Sequence, residues 1–193
     1  MGLLSRAGDL VYTLRFLRLL TTKFEDTNAY KLGLIDDKGA KLRKPQTSDE
    51  KSAYNIFHRL VFNLKKLLAK APGGSSKIAS YAAALFLIKE KYNMSEESLE
   101  RILKESGLEV IDILNESNTW FLSENKMLSP GIYKVRNEKL LNSTCEELVS
   151  PKDKVRVSED AYPIGDVFGM DIYEATHVNT GQKIYVTIGE LEK

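Results

Sequence analysis

This chain has a single cysteine, Cys145, in 193 residues, so no intramolecular disulfide can form. That fits a reducing compartment, or a protein whose folding does not depend on bridges. Long apolar runs are also missing. The longest uncharged stretch in a helical pattern is 78–88, eleven residues, whereas a membrane span needs about 20. Asp9, Arg15 and Arg18 interrupt what would be the apolar region of a secretory leader, and no small-residue cleavage site follows, so no leader is expected. Only five prolines and twelve glycines occur, which argues against a disordered or low-complexity chain. With 42% hydrophobic residues against 28% charged, the chain can bury a core of ordinary size.

Catalytic signatures are scarce. There is no G-x-S-x-G elbow, no dinucleotide fingerprint and no H-E-x-x-H. The two histidines, His58 and His177, are far apart in the chain, and the acids near His177 (Asp160, Asp166, Asp171 and Glu174) have irregular spacing, unlike a metal-ligand set. Glu146 and Glu147 follow Cys145, and negative neighbours disfavour the thiolate a nucleophile needs. No catalytic residue, metal or cofactor is expected, and the chain reads as non-enzymatic.

What the chain does have is a division of charge. Residues 1–92 carry 17 Lys and Arg against 8 Asp and Glu, a net of +9, while residues 93–193 carry 11 against 19, a net of −8. The overall +1 conceals this. Such asymmetry implies contact with something charged, or between oppositely charged surfaces.

The periodicities predict an α+β protein. Residues 3–21 read as a helix whose core-facing stripe is Leu3, Leu4, Ala7, Leu10, Val11, Leu14, Leu17 and Thr21. Tyr12, Phe16, Leu19 and Leu20 lie off that stripe and widen the apolar arc, offering a contact for a partner helix. Residues 30–44 predict a small hairpin turning at Gly39. Thr47 and Glu50 form a capping box for a helix over 47–70, with Ala53, Ile56, Phe57, Leu60, Val61, Leu64, Leu67 and Leu68 as its buried face. Pro72-Gly-Gly74 ends it. The segment 72–77 lacks P-loop spacing and reads as an interhelical turn. A third helix, 76–92, is apolar nearly all round and should sit centrally in a bundle. Ser95 caps a helix over 96–105, and a short helix over 108–115 follows. Strand alternation then predicts 132–135, 154–157, 171–177 and 183–187, the last two joined by a hairpin at Asn179-Thr-Gly181. This divides the chain into a helical domain at 1–115, a linker at 116–128, and a small SH3-like or OB-like barrel at 129–193.

One face of helix 47–70 is a candidate contact surface. Arg59, Lys65, Lys66 and Lys70 lie there with Phe62 among them, and Lys77 follows in the next turn. Cations attract phosphate and an exposed aromatic stacks on bases, so a nucleic-acid contact is the alternative to a protein partner. The acids of the barrel favour a basic protein partner for that part.

Four stretches carry a family likeness: 9–20 (Asp-Leu-Val-Tyr-Thr-Leu-Arg-Phe-Leu-Arg-Leu-Leu), 54–66 (Tyr-Asn-Ile-Phe-His-Arg-Leu-Val-Phe-Asn-Leu-Lys-Lys), 72–85, and 129–135 (Ser-Pro-Gly-Ile-Tyr-Lys-Val). With these the chain resembles a virion or assembly protein family of tailed bacteriophages, across most of its length. The resemblance implies a structural or assembly role in the virion or host cytoplasm, with other virion proteins or copies of itself as partners. It brings no catalytic residues.

Overall fold

Helix starts follow the capping signals. In a computed structural model, which describes residues 3–69, 78–106, 125–136, 139–140 and 148–193, Thr47 accepts from the Glu50 amide while the Glu50 carboxylate accepts from the Thr47 amide. Ser95 accepts likewise from the Ser98 amide. The helices are α1 (Leu3–Thr21), α2 (Asn28–Lys31), α3 (Ser48–Ala53), α4 (Ile56–Ala69), α5 (Ile78–Tyr92) and α6 (Glu96–Glu105). The strands are β1 (Gly131–Val135), β2 (Lys139–Leu140), β3 (Leu148–Val149), β4 (Lys154–Val157), β5 (Gly165–Val167), β6 (Met170–His177), β7 (Lys183–Val186) and β8 (Leu191–Glu192). The chain is thus a mixed helix-plus-antiparallel-sheet protein. The expected 72–77 turn, the 108–115 helix and most of the 116–128 linker lie outside the described residues, as do Cys145, Lys70 and Lys77.

The expected helix 47–70 is two helices. The break falls at Tyr54–Asn55, where Tyr54 leaves helical geometry at φ −138° and ψ 61°. Asn55 restarts the chain, its side-chain oxygen accepting from the His58 amide at 3.2 Å. An asparagine that offers its own acceptor competes with the helix ladder. The hairpin expected over 30–44 is shorter than the sequence suggests. Tyr30 belongs to α2, and a single bridge joins Ile35 to Lys41. Gly39 takes φ +77°, and a side chain there would lie 2.5 Å from the Phe24 ring.

β1, β4, β6 and β7 confirm the four strands expected from alternation. Within the larger sheet the order is β5-β6-β4-β1-β8, and β7 also pairs with β6. Thr176 of β6 pairs with Arg156 of β4 and with Lys183 of β7, so those two strands flank β6. A 3-10 turn, Ile188–Glu190, then carries the chain from β7 to β8, which pairs with β1. The expected Asn179–Gly181 turn closes β6 to β7, with Gly181 at φ +69°. A second tight hairpin joins β5 to β6 through Phe168 and Gly169, at φ 50° and 74°. Two successive positive φ values are what a two-residue type I′ connection requires.

β6 separates two cores. Met170 and Ile172 join α1, α4, α5 and α6 residues in one cluster, whereas Tyr173 and Ala175 join β1, β4 and β7 in the other. Adjacent residues on a strand point to opposite faces. Ile172 and Tyr173 are both fully buried, so the strand is covered on both sides there. α5 provides the helical cover. Phe86 stands edge-on to Tyr185 of β7, with ring centroids 5.7 Å apart at 83°. It also lies over Gly165 of β5, where an added Cβ would come within 2.6 Å of the ring. The nearly all-apolar sequence of α5 matches its place between the other helices and the sheet. Lys89 of α5 extends the joint. Its Nζ bonds Glu96 Oε1 at 2.7 Å and the Asp166 carbonyl at 2.9 Å, and the same Glu96 oxygen accepts from the Phe168 amide.

α1 is buried on a face rotated away from the expected one, with Leu17 alone of the described expected stripe still packed against the main core. Thr13, Phe16 and Leu20 are buried, whereas Leu10, Val11 and Leu14 are more than half exposed. Asp9 helps to set this orientation. Its carboxylate accepts from the Ser95 amide and from the hydroxyls of Ser95 and Ser98, at the start of α6. A carboxylate there meets unpaired amides and the positive end of the helix dipole. Thr13 tolerates burial because its hydroxyl donates to the Asp9 carbonyl at 2.7 Å.

Candidate functional site

The basic face expected on helix 47–70 is taken up largely inside the molecule. Phe62 is 1% exposed and packs with Phe24, Tyr54, Leu34 and Ile35. This corrects its reading as an exposed stacking aromatic. The reason is that loop 24–42 folds back and covers that side of α4. Lys65 donates from Nζ to the Thr22 carbonyl, just past the end of α1, and its ammonium sits 4.6 Å from the Phe24 ring centre. Burial pushes its pKa down. It acts as a cap for α1, satisfying a carbonyl beyond the helix end. Arg59 and Lys66 are half-buried and already engaged in interactions.

The residues assigned to a partner helix are rearranged as well. Phe16 is 0% and Leu20 6% exposed. Phe16 meets the Phe57 ring edge-on at 6.3 Å. Tyr12 and Leu19 are half-buried against the same core. The outward apolar residues of α1 are instead Leu10, Val11 and Leu14, with Arg15 and Arg18 exposed beside them. The spacing of all five places them on one arc of the helix. Exposed aliphatic side chains edged by arginine are the composition of a protein-contact surface.

Sequence reading missed a cleft on the flank of that arc. It lies between the second half of α1 and the α2–α3 segment, with the start of α4 beside it. One lobe, about 300 Å³, is lined by Arg15, Arg18, Asp26, Asn28, Phe57 and His58 among others. The second, about 580 Å³, adds Lys31, Asp49 and Ser52. Arg15, Asn28, Ala53 and His58 border both. The Arg15 guanidinium stacks over Phe57 at 5.3 Å and Tyr12 at 5.9 Å. No local motif marked these residues, because they come from four helices and meet only in three dimensions.

His58 is held in one tautomer. Asn55 Oδ1 accepts from the His58 amide and lies 2.9 Å from His58 Nδ1. That oxygen is an acceptor, so Nδ1 carries the proton and Nε2 the lone pair. Burial, and secondarily the nearby Arg15 charge, push the His58 pKa down to about 4. The imidazole is therefore neutral at pH 7. Because the folded value lies below the ordinary 6.5, the unfolded chain binds the proton more readily between those values. The His58 contribution to stability is present above pH 6.5 and is lost as pH falls toward 4. Urea denaturation from pH 7 to 4 should show His58→Gln with a shallower loss of stability than the native chain. Parallel curves would refute the assignment.

His177 ends β6, at the β6–β7 hairpin. Its Nδ1 is 2.9 Å from the Thr180 hydroxyl and its Nε2 is 3.3 Å from Asp153. Asp171 pairs with Lys126 at 2.9 Å. Among the described residues, no group of three or more His, Cys, Asp or Glu stands close enough to hold a metal ion, and no helix is long and apolar enough to cross a membrane. No family model, curated protein or solved structure matches this chain.

Proposed function

We propose that this protein is a non-enzymatic structural or assembly component of a tailed-phage particle, working by protein–protein contact with other virion proteins or with copies of itself. The observation that carries this is the outward arc of α1. Leu10, Val11 and Leu14 are 53%, 55% and 58% exposed, side by side, with Arg15 and Arg18 at their margin. Three adjacent exposed aliphatics on one helix face are costly to leave in water and gain by being covered. The division of charge supports the same reading, since a basic N-terminal and an acidic C-terminal surface steer and register neighbouring copies. The sheet is consistent with it too. Strand order β7-β6-β4-β1-β8, with a 3-10 turn returning β7 to β8 beside β1, supports an SH3-like small barrel over an OB-like one. Barrels of this size serve many binding roles, so the fold adds no choice of partner. The phage setting rests on the family likeness of the sequence, which implies the virion or the host cytoplasm.

The test combines purified particles with a surface variant. Mass spectrometry of virions should find the chain, and sedimentation of the pure protein should show species larger than a monomer or a complex with a virion protein. Leu10→Asp with Leu14→Asp should keep the native circular dichroism, because both sites face water, and should abolish association and incorporation. A native chain that stays monomeric and never co-purifies with particles would sink the reading.

A further inference from the structure

We propose that the cleft between α1 and the α2–α3 segment binds the phosphate monoester of a small molecule, with Arg15 and Arg18 on one wall and Lys31 on the other. This site flanks the apolar arc of α1 and shares Arg15 and Arg18 with its margin, but its ligand does not depend on the assembly role. Three cations line the cleft. Among the described residues none of the three takes part in an ion pair. Arg15 and Arg18 are three residues apart and so neighbour each other on α1. The Arg15 guanidinium carbon lies over the Phe57 and Tyr12 rings, 5.3 and 5.9 Å from their centroids. Arginine offers several N–H donors in one fork, which suits a phosphate. Asn28 adds an amide to both lobes.

The carboxylates decide between a compact ligand and a polymer. Asp26 lines one lobe and Asp49 the other. A nucleic-acid strand running through both lobes would meet a negative charge in each. A single dianion can rest against Arg15, which borders both lobes, while the uncharged part of the molecule lies along the exposed Leu32. The lobe volumes are those of small-molecule sites, about 300–1,000 Å³. His58 adds no charge at pH 7, but it reports on the site. The charged groups lining its surroundings are Arg15, Arg18, Lys31, Asp26 and Asp49. An added dianion opposes the cations and favours the protonated imidazole.

The full-length protein would be titrated with inorganic phosphate, with adenosine monophosphate and with a single-stranded oligonucleotide, following the His58 ring by NMR. Phosphate and the monophosphate, at up to about 10 mM in low salt where screening is weak, should shift the His58 signals and raise its midpoint by about one pH unit or more. Arg18→Gln should weaken binding about tenfold, as loss of a charge-assisted contact does, and Arg15→Gln with Arg18→Gln should abolish it. Arg18→Gln leaves the Arg15 stacking intact, so it remains informative if the double variant is unstable. Lys44→Gln, an exposed cation that does not line the cleft, should bind as the native protein does. No His58 response to either phosphate ligand, or equal binding by Arg18→Gln, overturns the proposal. So does an oligonucleotide that binds more tightly than the monophosphate, with a steep dependence of log affinity on log salt; that result would restore a nucleic-acid surface in place of a small-molecule site.

Discussion

Replacing Phe16 by alanine is expected to cost about 3–5 kcal/mol, whereas the same change at Leu14, two residues earlier, should move stability by less than about 0.5 kcal/mol. Both residues are large and apolar, and the simple helical stripe through α1 includes Leu14 and omits Phe16. The structure reverses their weights. Phe16 has no exposed surface and packs in the main core, edge-on to Phe57, while Leu14 is 58% exposed. Truncating Phe16 loses the burial of the ring and leaves a cavity that close-packed neighbours cannot fully close. Truncating Leu14 removes methyl groups from water. Urea denaturation of the two variants at low micromolar concentration checks this. Dilution matters, because association through α1 would add apparent stability by mass action and let Leu14→Ala lower it indirectly. Equal losses for the two variants in the dilute monomer would mean that α1 is rotated from the orientation described.

Placing valine at Gly165 should destabilise the protein by about 1–3 kcal/mol, the usual cost of overfilling a packed interior. A Cβ at Gly165 would lie 2.6 Å from the Phe86 ring, too close for any carbon contact. The ring cannot easily retreat, since it is 5% exposed and also held against Tyr185. The decisive measurement is the double variant. Phe86→Ala alone should cost about 3–5 kcal/mol, but it also opens the space that valine needs. In that background Gly165→Val should cost markedly less, with a coupling of about 1 kcal/mol or more between contacting residues. Strict additivity would show that α5 does not rest on β5 at this point. The same variants test the joint between helices and sheet. Because Val167, Met170 and Ile172 belong to the same cluster as Leu85, Phe86 and Leu99, damage at Gly165 should lower the helical and sheet signals in a single transition.

Local signals in the sequence were enough for most of the elements. Thr47 with Glu50, and Ser95 before α6, marked helix starts because a cap needs only a side-chain acceptor and amides three residues away. Alternation found β1, β4, β6 and β7, and Gly181 marked the turn between the last two. These are all short-range effects. The break at Asn55 was also local, yet it was hidden by an apolar pattern that runs on from Ala53 to Ile56 and Phe57. The short β5 and β8 escaped because two or three residues cannot display a period.

The candidate sites were much less legible. Lys65 and Phe62 read as a basic, aromatic surface on one helix, and periodicity cannot know that loop 24–42 returns to cover them. Arg15 with Arg18, Lys31 and His58 carried no shared motif, since three separate helices, α1, α2 and α4, bring them together. The orientation of α1 was undetermined by its own residues, because its apolar positions extend nearly all round the helix.

By itself, then, the sequence determined the class of the protein, its α+β order, its capped helix starts and its division of charge, all of which follow from composition and contacts within a few residues. Tertiary structure alone decided which face of α1 meets the core, that β6 is buried on both sides, and that four dispersed basic and imidazole side chains line one cleft. The physical reason is that burial and charge convergence depend on distances between segments remote in sequence, chosen by packing and by long-range bonds such as that from Asp9 to Ser95.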